Sequence, residues 1–234
     1  MIPRLLQTRI SQQLQDGGKV VVVYGARQVG KTTLVRRVLA DLSYRTLAIN
    51  ADELRYAEVL SSRDLRRLRE LVEGYELLFL DEAQRIPEIG VNLKLLVDHL
   101  PQLRIIVTGS SSLDLASKIQ EPLTGRAWIH MLYPIAMSEL ARQHNGFELN
   151  EMLEERLVLG SYPEIFAIPG SAARREYLQN LAASYLYKDV LEIGGVRHSN
   201  KLRNLVRLLA FQIGREVSLT ELGGQLQMSK DTVA

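Results

Sequence analysis

Cysteine is absent from this chain of 234 residues, and several other features are scarce. Without thiols the protein forms neither disulfide bonds nor thiolate metal sites, which favours a reducing, cytoplasmic compartment. No run of about eighteen apolar residues occurs, so we expect no segment to span a membrane. The 29 basic and 27 acidic residues nearly balance, for a formal charge of +2. This balance argues against a surface that is basic throughout and binds nucleic acid non-specifically.

Apolar residues are plentiful by comparison, at 46% of the chain, and they suffice for a sizeable core. The first residues, MIPRLLQTRISQQL, place Leu5, Leu6, Ile10 and Leu14 at helical spacing. This pattern predicts an amphipathic helix and not a signal peptide. We expect one main domain with smaller appendages.

A glycine-rich segment at residues 25–32, GARQVGKT, matches the pattern G-x-x-x-x-G-K-[ST]. The β-branched run KVVVVY precedes it, and TLVRRVLADL follows with apolar residues at helical spacing. A loop in this setting wraps backbone N–H groups around a polyphosphate at a helix N-terminus. An ordinary glycine turn, the alternative, does not explain the Lys-Thr pair. The expected nucleotide-binding residues are Gly25, Ala26, Arg27, Gln28, Val29, Gly30, Lys31, Thr32 and Thr33.

Within this pattern, the Lys31 ammonium is expected at the β- and γ-phosphates and the Thr32 hydroxyl on Mg²⁺. A second metal ligand is expected where the apolar run LLFL ends in Asp81 and Glu82. A buried parallel strand delivers such a carboxylate to the carboxyl edge of its sheet. Asp81 is therefore the second expected Mg²⁺ ligand, and Glu82 is expected to polarise the attacking water. The alternative is a charged pair that merely marks the end of a strand.

A further strand is predicted over residues 103–107, followed by the small hydroxyl residues of the segment 108–112, TGSSS. Such side chains can hydrogen-bond the γ-phosphate or the attacking water and report the loss of the phosphate. Ser110 is the expected sensor in this segment. Turn and N-cap chemistry explains these hydroxyls equally well.

Several of these stretches together resemble a family. GARQVGKTTL, FLDEAQRIPEIGVNLKLLVDHL, IIVTGSSSLDLASKIQEPLTGRA and YPIAMSEL are similar to segments of prokaryotic AAA+-related P-loop ATPases, and LGSYPE and YLYKDV extend the likeness. Members of that family carry an uncharacterised, nuclease-like domain behind the ATPase. The resemblance implies an α/β three-layer sandwich with a parallel sheet in the order 5-1-4-3-2. It also implies Glu82 as the catalytic acid and residues 108–112 as the first sensor.

The same resemblance suggests Arg126, in the sequence LTGR, as an arginine finger that acts on a neighbouring subunit. A homo-oligomer would follow from that role. The alternative is an arginine in a solvated turn.

After the predicted ATPase core, residues 1–135, the sequence favours helices, and the resemblance implies a helical lid over residues 136–196. The sequence NGFELNEMLEERLVLG predicts a helix that begins at the cap Asn150 and ends at Gly160. Its expected apolar face consists of Met152, Leu153, Leu157 and Val158. Pro169 and Gly170 are expected to separate two elements. The neighbouring Arg174 and Arg175 are interpreted as solvated residues in preference to a second sensor.

The last segment, residues 197–234, predicts the start of a winged-helix domain. Ser218 and Glu221 form a possible capping box, and Ser229 is the expected cap of a second short helix. The chain stops about one turn into that helix, so we expect a fragment. The basic residues Arg197, Lys201, Arg203 and Arg207 could contact phosphates, or could simply be solvated. DNA and protein are equally plausible partners of this segment.

These features together predict an ATP-binding, Mg²⁺-dependent, ATP-hydrolysing molecular switch. The first alternative is a DNA-binding regulator that binds ATP for long periods and hydrolyses it slowly. The second, a small-molecule kinase, is disfavoured by Glu82 and by the serine-rich segment. The guanine-recognition pattern N-K-x-D is absent.

Overall fold

The protein is described here from a computed structural model that covers residues 2–110, 121–186 and 199–233. Its sheet has five strands, all paired in parallel and arranged in the order β2-β3-β4-β1-β5. This is the predicted order counted from the other edge, so the prediction is confirmed. The strands are β1 Val20–Gly25, β2 Thr46–Asn50, β3 Leu77–Asp81, β4 Arg104–Ser110 and β5 Ala127–Met131.

Helices cover both faces of this sheet and continue beyond it. They are α1 Leu6–Asp16, α2 Lys31–Ala40, α3 Leu54–Leu60, α4 Leu65–Val72, α5 Ile89–His99, α6 Met137–Leu140, α7 Gly146–Leu159, α8 Ser171–Leu181, α9 Ser199–Phe211, α10 Leu219–Leu226 and α11 Lys230–Val233. Short 3-10 turns span Ala83–Arg85 and Pro163–Phe166, and a π-helical turn spans Ala182–Leu186. Within the described residues, none of the helices combines the length and the apolar character needed to cross a bilayer.

The strand β1 shows why the fold has three layers. Its valines are all fully buried. Because successive side chains of a strand point to opposite faces of the sheet, this burial means that both faces are covered. Val20 and Val22 pack into one hydrophobic cluster with α5, and Val21 and Val23 pack into another with α1 and α2. The unbroken valine run therefore reflects a central strand that is covered on both sides.

The predicted N-terminal helix is confirmed as α1. Ile10 and Leu14 are buried on its inner face, as the helical spacing indicated. Gln13 is buried beside them and accepts a hydrogen bond at 2.6 Å from Nε2 of His130 on β5. Burial lowers the pKa of His130 below its usual value, and the nearby positive charge of Arg9 lowers it further.

The predicted start of the helix α7 was wrong. The helix begins at Gly146, and its cap is Asn145, whose side chain accepts from the Glu148 N–H at 3.0 Å. The Glu148 carboxylate accepts in turn from the Asn145 N–H at 2.9 Å, which completes a capping box. Asn150 lies inside the helix, because the box five residues earlier already satisfies the first donors. Gly160 ends the helix as predicted.

The expected apolar face of α7 is largely not buried. Leu153, Leu157 and Val158 are 45%, 77% and 66% exposed, whereas Arg156 and Leu159 are buried. The Arg156 guanidinium stacks on the Phe166 ring, 4.4 Å from its centroid. The side chain of Arg156 thus packs on an apolar group at a buried position of α7, whereas the sequence pattern predicted that leucine and valine side chains would be buried there.

The chain divides into two compact units, Met1–Ile168 and Pro169–Ala234. The division falls at the predicted Pro169-Gly170 breaker. The predicted domain borders at 135/136 and 196/197 stay predictions.

The second unit is helical and contains the predicted pair of short helices. The Ser218 hydroxyl accepts from the Glu221 N–H at 3.3 Å and caps α10. Gln227 then adopts a left-handed conformation, and the Ser229 hydroxyl accepts from the Thr232 N–H at 3.1 Å at the start of α11. Helix, turn and helix are therefore present in this order, while the winged-helix domain itself stays a prediction.

Lys201 is one of the expected phosphate-contacting residues, and it contacts the turn between the two short helices. The Lys201 ammonium, on α9, donates to the Gln227 carbonyl oxygen in the turn at 2.6 Å. Arg203 and Arg207 lie on the exposed side of the same helix, and Arg197 lies outside the described residues.

Candidate functional site

The loop that joins β1 to α2 begins at Gly25, where a close backbone approach requires glycine. Its φ is +156°, and a Cβ built there would lie 2.3 Å from the carbonyl oxygen of Leu132. The Leu132 N–H donates to the Tyr24 oxygen at 2.7 Å, so the chain leaving β5 is fastened directly beside the loop. The structural requirement for glycine at this position therefore comes from the carbonyl group of Leu132.

Lys31 is enclosed by the loop and is only 5% exposed. Its ammonium donates to the carbonyl oxygens of Gly25 at 2.9 Å and of Ala26 at 3.0 Å. Gly30, with φ +96°, is the N-cap of α2, so this cation lies at the positive end of a helix dipole. A loop of this kind is an anion-binding site on electrostatic grounds.

Asp81 ends β3 and contacts two hydroxyl groups from other elements. The Thr32 hydroxyl donates to Asp81 Oδ2 at 2.9 Å, and the fully buried Thr108 hydroxyl donates to Asp81 Oδ1. The three residues are far apart in the sequence. They meet because β3 and β4 are neighbours in the sheet and the loop before α2 lies at the same edge.

Thr108 belongs to the segment 108–112, in which the sequence analysis favoured Ser110. The register pairs Leu80 with Val107, so the next positions along the two strands, Asp81 and Thr108, lie side by side. A prediction of strand register would have singled out Thr108. Ser110 pairs with Gly25 in the register of β1 and β4, and its role as a sensor stays a prediction. The remaining serines, Ser111 and Ser112, lie outside the described residues.

Glu82 follows Asp81 in a left-handed conformation, with φ 55° and ψ 41°. Its N–H donates to the Thr108 hydroxyl at 3.4 Å, and its carboxylate accepts from the Gln84 side-chain amide. Left-handed backbone is unfavourable for a residue with a Cβ and persists where the surroundings enforce it, often at functional sites. This conformation places a half-buried carboxylate at the edge of the sheet, beside Asp81.

The comparisons with known proteins agree with this geometry. The family model described as "AAA domain" matches residues 17–141. The chain belongs to the AAA domain family. Residues 150–234 match a model described as a domain of unknown function. The sheet, the glycine loop and Asp81 all lie within the AAA domain match.

Two relatives of this AAA domain protein are each described as an uncharacterized protein. One from Methanocaldococcus jannaschii is 24% identical over 223 residues, which is 89% of this chain and 50% of the relative. Another from Mycobacterium tuberculosis is 28% identical over 217 residues, which is 91% of this chain and 45% of the relative. The chain thus spans about half the length of these relatives.

Among solved structures, the Walker-type ATPase of Pyrococcus abyssi is similar to this AAA domain protein, with a TM-score of 0.53 and 22% identity. The match covers 91% of this chain and 78% of the other. The likeness supports the fold, which is that of a P-loop ATPase module of AAA type.

The side chains of this AAA domain fit a magnesium ion by donor chemistry. A threonine hydroxyl and a carboxylate, here Thr32 and Asp81, are the hard oxygen donors that Mg²⁺ prefers. Across the described residues, no group of three or more His, Asp or Glu side chains is arranged to hold a metal by itself.

Arg126 lies directly before β5, at the end of the sheet where the strands begin. We call this end the amino edge, and the opposite end, which carries the loop and Asp81, the carboxyl edge. Its Nε donates to Asp98 Oδ1 at 2.6 Å, and both side chains are about a third exposed. This hydrogen bond holds the pKa of Asp98 below its usual range. In the register Arg126 precedes the pair Ala127–Val20, whereas the loop begins at Gly25, five residues further along β1. At about 3.3 Å per residue the two ends are separated by roughly 16 Å.

Proposed function

We propose that this AAA domain binds Mg²⁺-ATP at residues 25–33 and hydrolyses it. The contact that carries the proposal is the hydrogen bond between Thr32 and Asp81 beside the enclosed Lys31. Two metal-type oxygen donors and a cation thus lie at the same end of the sheet, at a helix N-terminus. An ordinary turn after a strand would not bring these three groups together.

In the proposed complex, backbone N–H groups of residues 26–32 bind the phosphates, and the Lys31 ammonium neutralises the β- and γ-phosphates. Thr32 and Asp81 hold the metal, which supplies charge neutralisation at the phosphate oxygens when it is bound. Thr108 orients the Asp81 carboxylate through its hydroxyl. Asp81 thereby presents its remaining lone pairs in a defined direction.

Glu82 is the proposed general base. Its carboxylate is half-buried, next to the metal ligand Asp81, and the Gln84 amide holds it. From this place it can accept a hydrogen bond from water and polarise it for attack on the γ-phosphate. Ser110 is proposed to sense that phosphate from the end of β4.

Arg126 is proposed to act on the nucleotide of a second copy of this chain. Its position at the amino edge of the sheet separates it from the loop of its own chain. A role at a phosphate therefore requires a neighbouring subunit. The conformational change that hydrolysis would drive, and so the role as a switch, is also part of the proposal.

A second candidate function is a DNA-binding regulator that hydrolyses ATP slowly. The observation that favours it is the pair of capped helices α10 and α11, joined by the turn at Gln227. Duplex binding that falls with rising salt and changes with the bound nucleotide would support this function. Without such binding, the helix pair is better explained as a surface that binds another protein.

Replacement of Glu82 by Gln tests the hydrolytic role. The variant keeps the shape of the side chain but removes its charge, so ATP affinity should be unchanged. Phosphate release should fall by about 10² to 10⁴, the usual contribution of a general base. Affinity is measured by calorimetry, and turnover by phosphate release without any acceptor, which also excludes a kinase.

The matched control is Glu88→Gln. Glu88 is likewise a glutamate with left-handed backbone, φ 50°, but it lies on the exposed end of α5 and pairs with Arg63. Its substitution should leave turnover unchanged. If Glu82→Gln released phosphate at the wild-type rate, the general base would have to be another residue.

A further inference from the structure

Arg4 is an N-terminal residue that contacts the phosphate loop. Its side chain is 10% exposed, and the guanidinium donates to the Val29 carbonyl oxygen at 3.1 Å. The same group donates to Glu139 Oε1 at 3.1 Å and to the Tyr133 carbonyl oxygen. One side chain therefore joins the N-terminus, the loop and the segment that follows β5.

Glu139 is the anchor of this cluster. Its side chain is only 5% exposed, and a buried carboxylate is costly unless it is paired and fully hydrogen-bonded. Besides Arg4, it accepts from the Leu5 N–H at 2.7 Å and from the Ala136 N–H at 3.0 Å. Donors from the N-terminal segment and from the segment after β5 thus hold the Glu139 carboxylate. The carboxylate in turn fixes the orientation of the Arg4 guanidinium.

The contact with Val29 involves one peptide bond of the loop, the bond between Val29 and Gly30. Peptide bonds in the described chain are trans, so the carbonyl of Val29 and the N–H of Gly30 point in opposite directions. Arg4 lies on the carbonyl side, and its Nη1 is 3.7 Å from the place of a Cβ at Gly30. The Gly30 N–H therefore points away from Arg4. A cation on the oxygen of a peptide also strengthens the donor at its other end, because hydrogen bonds in series polarise one another.

We propose that Arg4, held by Glu139, is a positioning residue of the phosphate loop: it fixes and polarises the Val29–Gly30 peptide, so that the Gly30 N–H donates more strongly to a bound phosphate. This inference rests on the proposed nucleotide site. It assigns a task in nucleotide binding to a residue outside the loop. The competing explanation is that the pair only fastens the N-terminus to the segment 133–139.

The test uses the double variant Arg4→Met/Glu139→Gln. A single substitution would leave a buried charge without its partner, whereas the double variant removes both charges together, and the oxygen of the introduced glutamine amide can still accept a backbone N–H. The matched control is Arg67→Met/Glu58→Gln, which removes an exposed ion pair of 2.7 Å on α3 and α4. Both double variants should show the folded circular dichroism spectrum.

Calorimetry with Mg²⁺-ADP and Mg²⁺-ATP gives the first result. We expect affinity about two- to fivefold weaker in Arg4→Met/Glu139→Gln, because the hydrogen bond from Gly30 to the phosphate is weakened and not lost. The control pair should keep wild-type affinity. Wild-type affinity in Arg4→Met/Glu139→Gln would overturn the proposal. The pair would then serve only to fasten the N-terminus to the segment 133–139.

The second result does not depend on nucleotide binding. Val29-Gly30 is the only Val-Gly dipeptide in the sequence, so carbonyl-¹³C valine with ¹⁵N glycine selects the Gly30 amide alone in an NMR spectrum. Its proton resonance should move upfield in Arg4→Met/Glu139→Gln and stay in place in the control. An unmoved Gly30 resonance would overturn the polarisation. If the wild-type protein failed to bind either nucleotide, the proposed function would fail, whereas the NMR shift would still decide the effect of Arg4 on the peptide.

Discussion

The two edges of the same parallel sheet carry similar kinds of polar residue in different surroundings. At the carboxyl edge, Asp81 binds the hydroxyls of Thr32 and the fully buried Thr108, beside the enclosed Lys31. At the amino edge, the pair Arg126–Asp98 is about a third exposed. The carboxyl edge is therefore arranged so that its polar groups restrain one another. The amino edge holds a solvated ion pair.

This difference indicates which edge can perform chemistry within one chain. Groups that are buried and hydrogen-bonded to one another are oriented in advance, which electrostatic stabilisation of a reacting phosphate requires. An exposed ion pair contributes little to stability and can exchange partners. Arg126 thus retains the freedom to leave Asp98 when a neighbouring molecule offers a stronger anion.

The largest effect is expected from Arg126→Ala. A guanidinium at the γ-phosphate in the transition state contributes roughly 10³ to 10⁵ in rate. If Arg126 acts between chains, ATPase activity per chain should rise with protein concentration, and Arg126→Ala should abolish that rise with little change in ATP affinity. Phosphate release measured over a dilution series checks this expectation.

Mixing two inactive variants sharpens the same experiment. Arg126→Ala chains keep Glu82, and Glu82→Gln chains keep Arg126, so a mixture should regain part of the activity. As a control, Asp98→Asn removes the negative charge beside Arg126 but leaves Arg126 itself in place, so turnover should stay intact. Turnover that is independent of concentration and unaffected by Arg126→Ala would make the amino edge purely structural.

A smaller effect, on stability, is expected from Gly25→Ala at the carboxyl edge. The new Cβ would meet the Leu132 oxygen at 2.3 Å, so the backbone must move, at a cost of about 3 kcal/mol. Gly125→Ala at the amino edge is the matched control. Gly125 also has a positive φ, +75°, but open space around its Cβ position, so we expect only the conformational cost of about 1 kcal/mol.

Urea denaturation of both glycine variants gives the two free energies of unfolding. Equal losses would mean that the contact between Gly25 and Leu132 relaxes without cost. The loop would then be less firmly seated on β5 than its hydrogen bonds indicate.

The smallest expected effect concerns His130 and pH. Burial and Arg9 lower its pKa in the folded state, so below about pH 6.5, the usual value for histidine, the unfolded chain binds a proton that the folded chain does not. Stability from this residue is complete above that pH and is lost as the pH falls toward the lower folded value. Thermal midpoints between pH 7 and pH 5 should fall less steeply in His130→Asn than in the wild type.

An identical slope for His130→Asn and the wild type would show that His130 is protonated as readily in the folded chain as in the unfolded one.

Much of the carboxyl edge could be predicted from local sequence patterns. The glycine loop, the valine strand and the apolar run before Asp81 each have a short-range signal, and the strand order followed from a resemblance. Thr108 was not selected because its contact with Asp81 depends on strand register, which no single segment encodes. Arg4 carries no local signal at all, since its partners Val29 and Glu139 are distant in the sequence.

The helical region was predicted less well, for physical reasons that can be named. The start of α7 was placed at Asn150 from an apolar spacing, whereas the capping box of Asn145 and Glu148 determines it. Leu153 and Leu157 are exposed and Arg156 is buried, because the Arg156 guanidinium stacks on an aromatic ring. Burial in this region depends on packing between elements, which periodicity alone does not reveal.

The central claim, that the loop around Lys31 binds the phosphates of ATP, is tested most directly by calorimetric titration of Lys31→Ala with Mg²⁺-ATP. The wild type and Lys94→Ala, which removes an exposed lysine of α5, serve as references. Charge-assisted hydrogen bonds contribute about 1.5 to 3 kcal/mol each, so the loss of two should weaken binding at least about a hundredfold. We expect this loss in a folded Lys31→Ala protein, with the affinity of Lys94→Ala unchanged. Equal ATP affinity in all three proteins would contradict it.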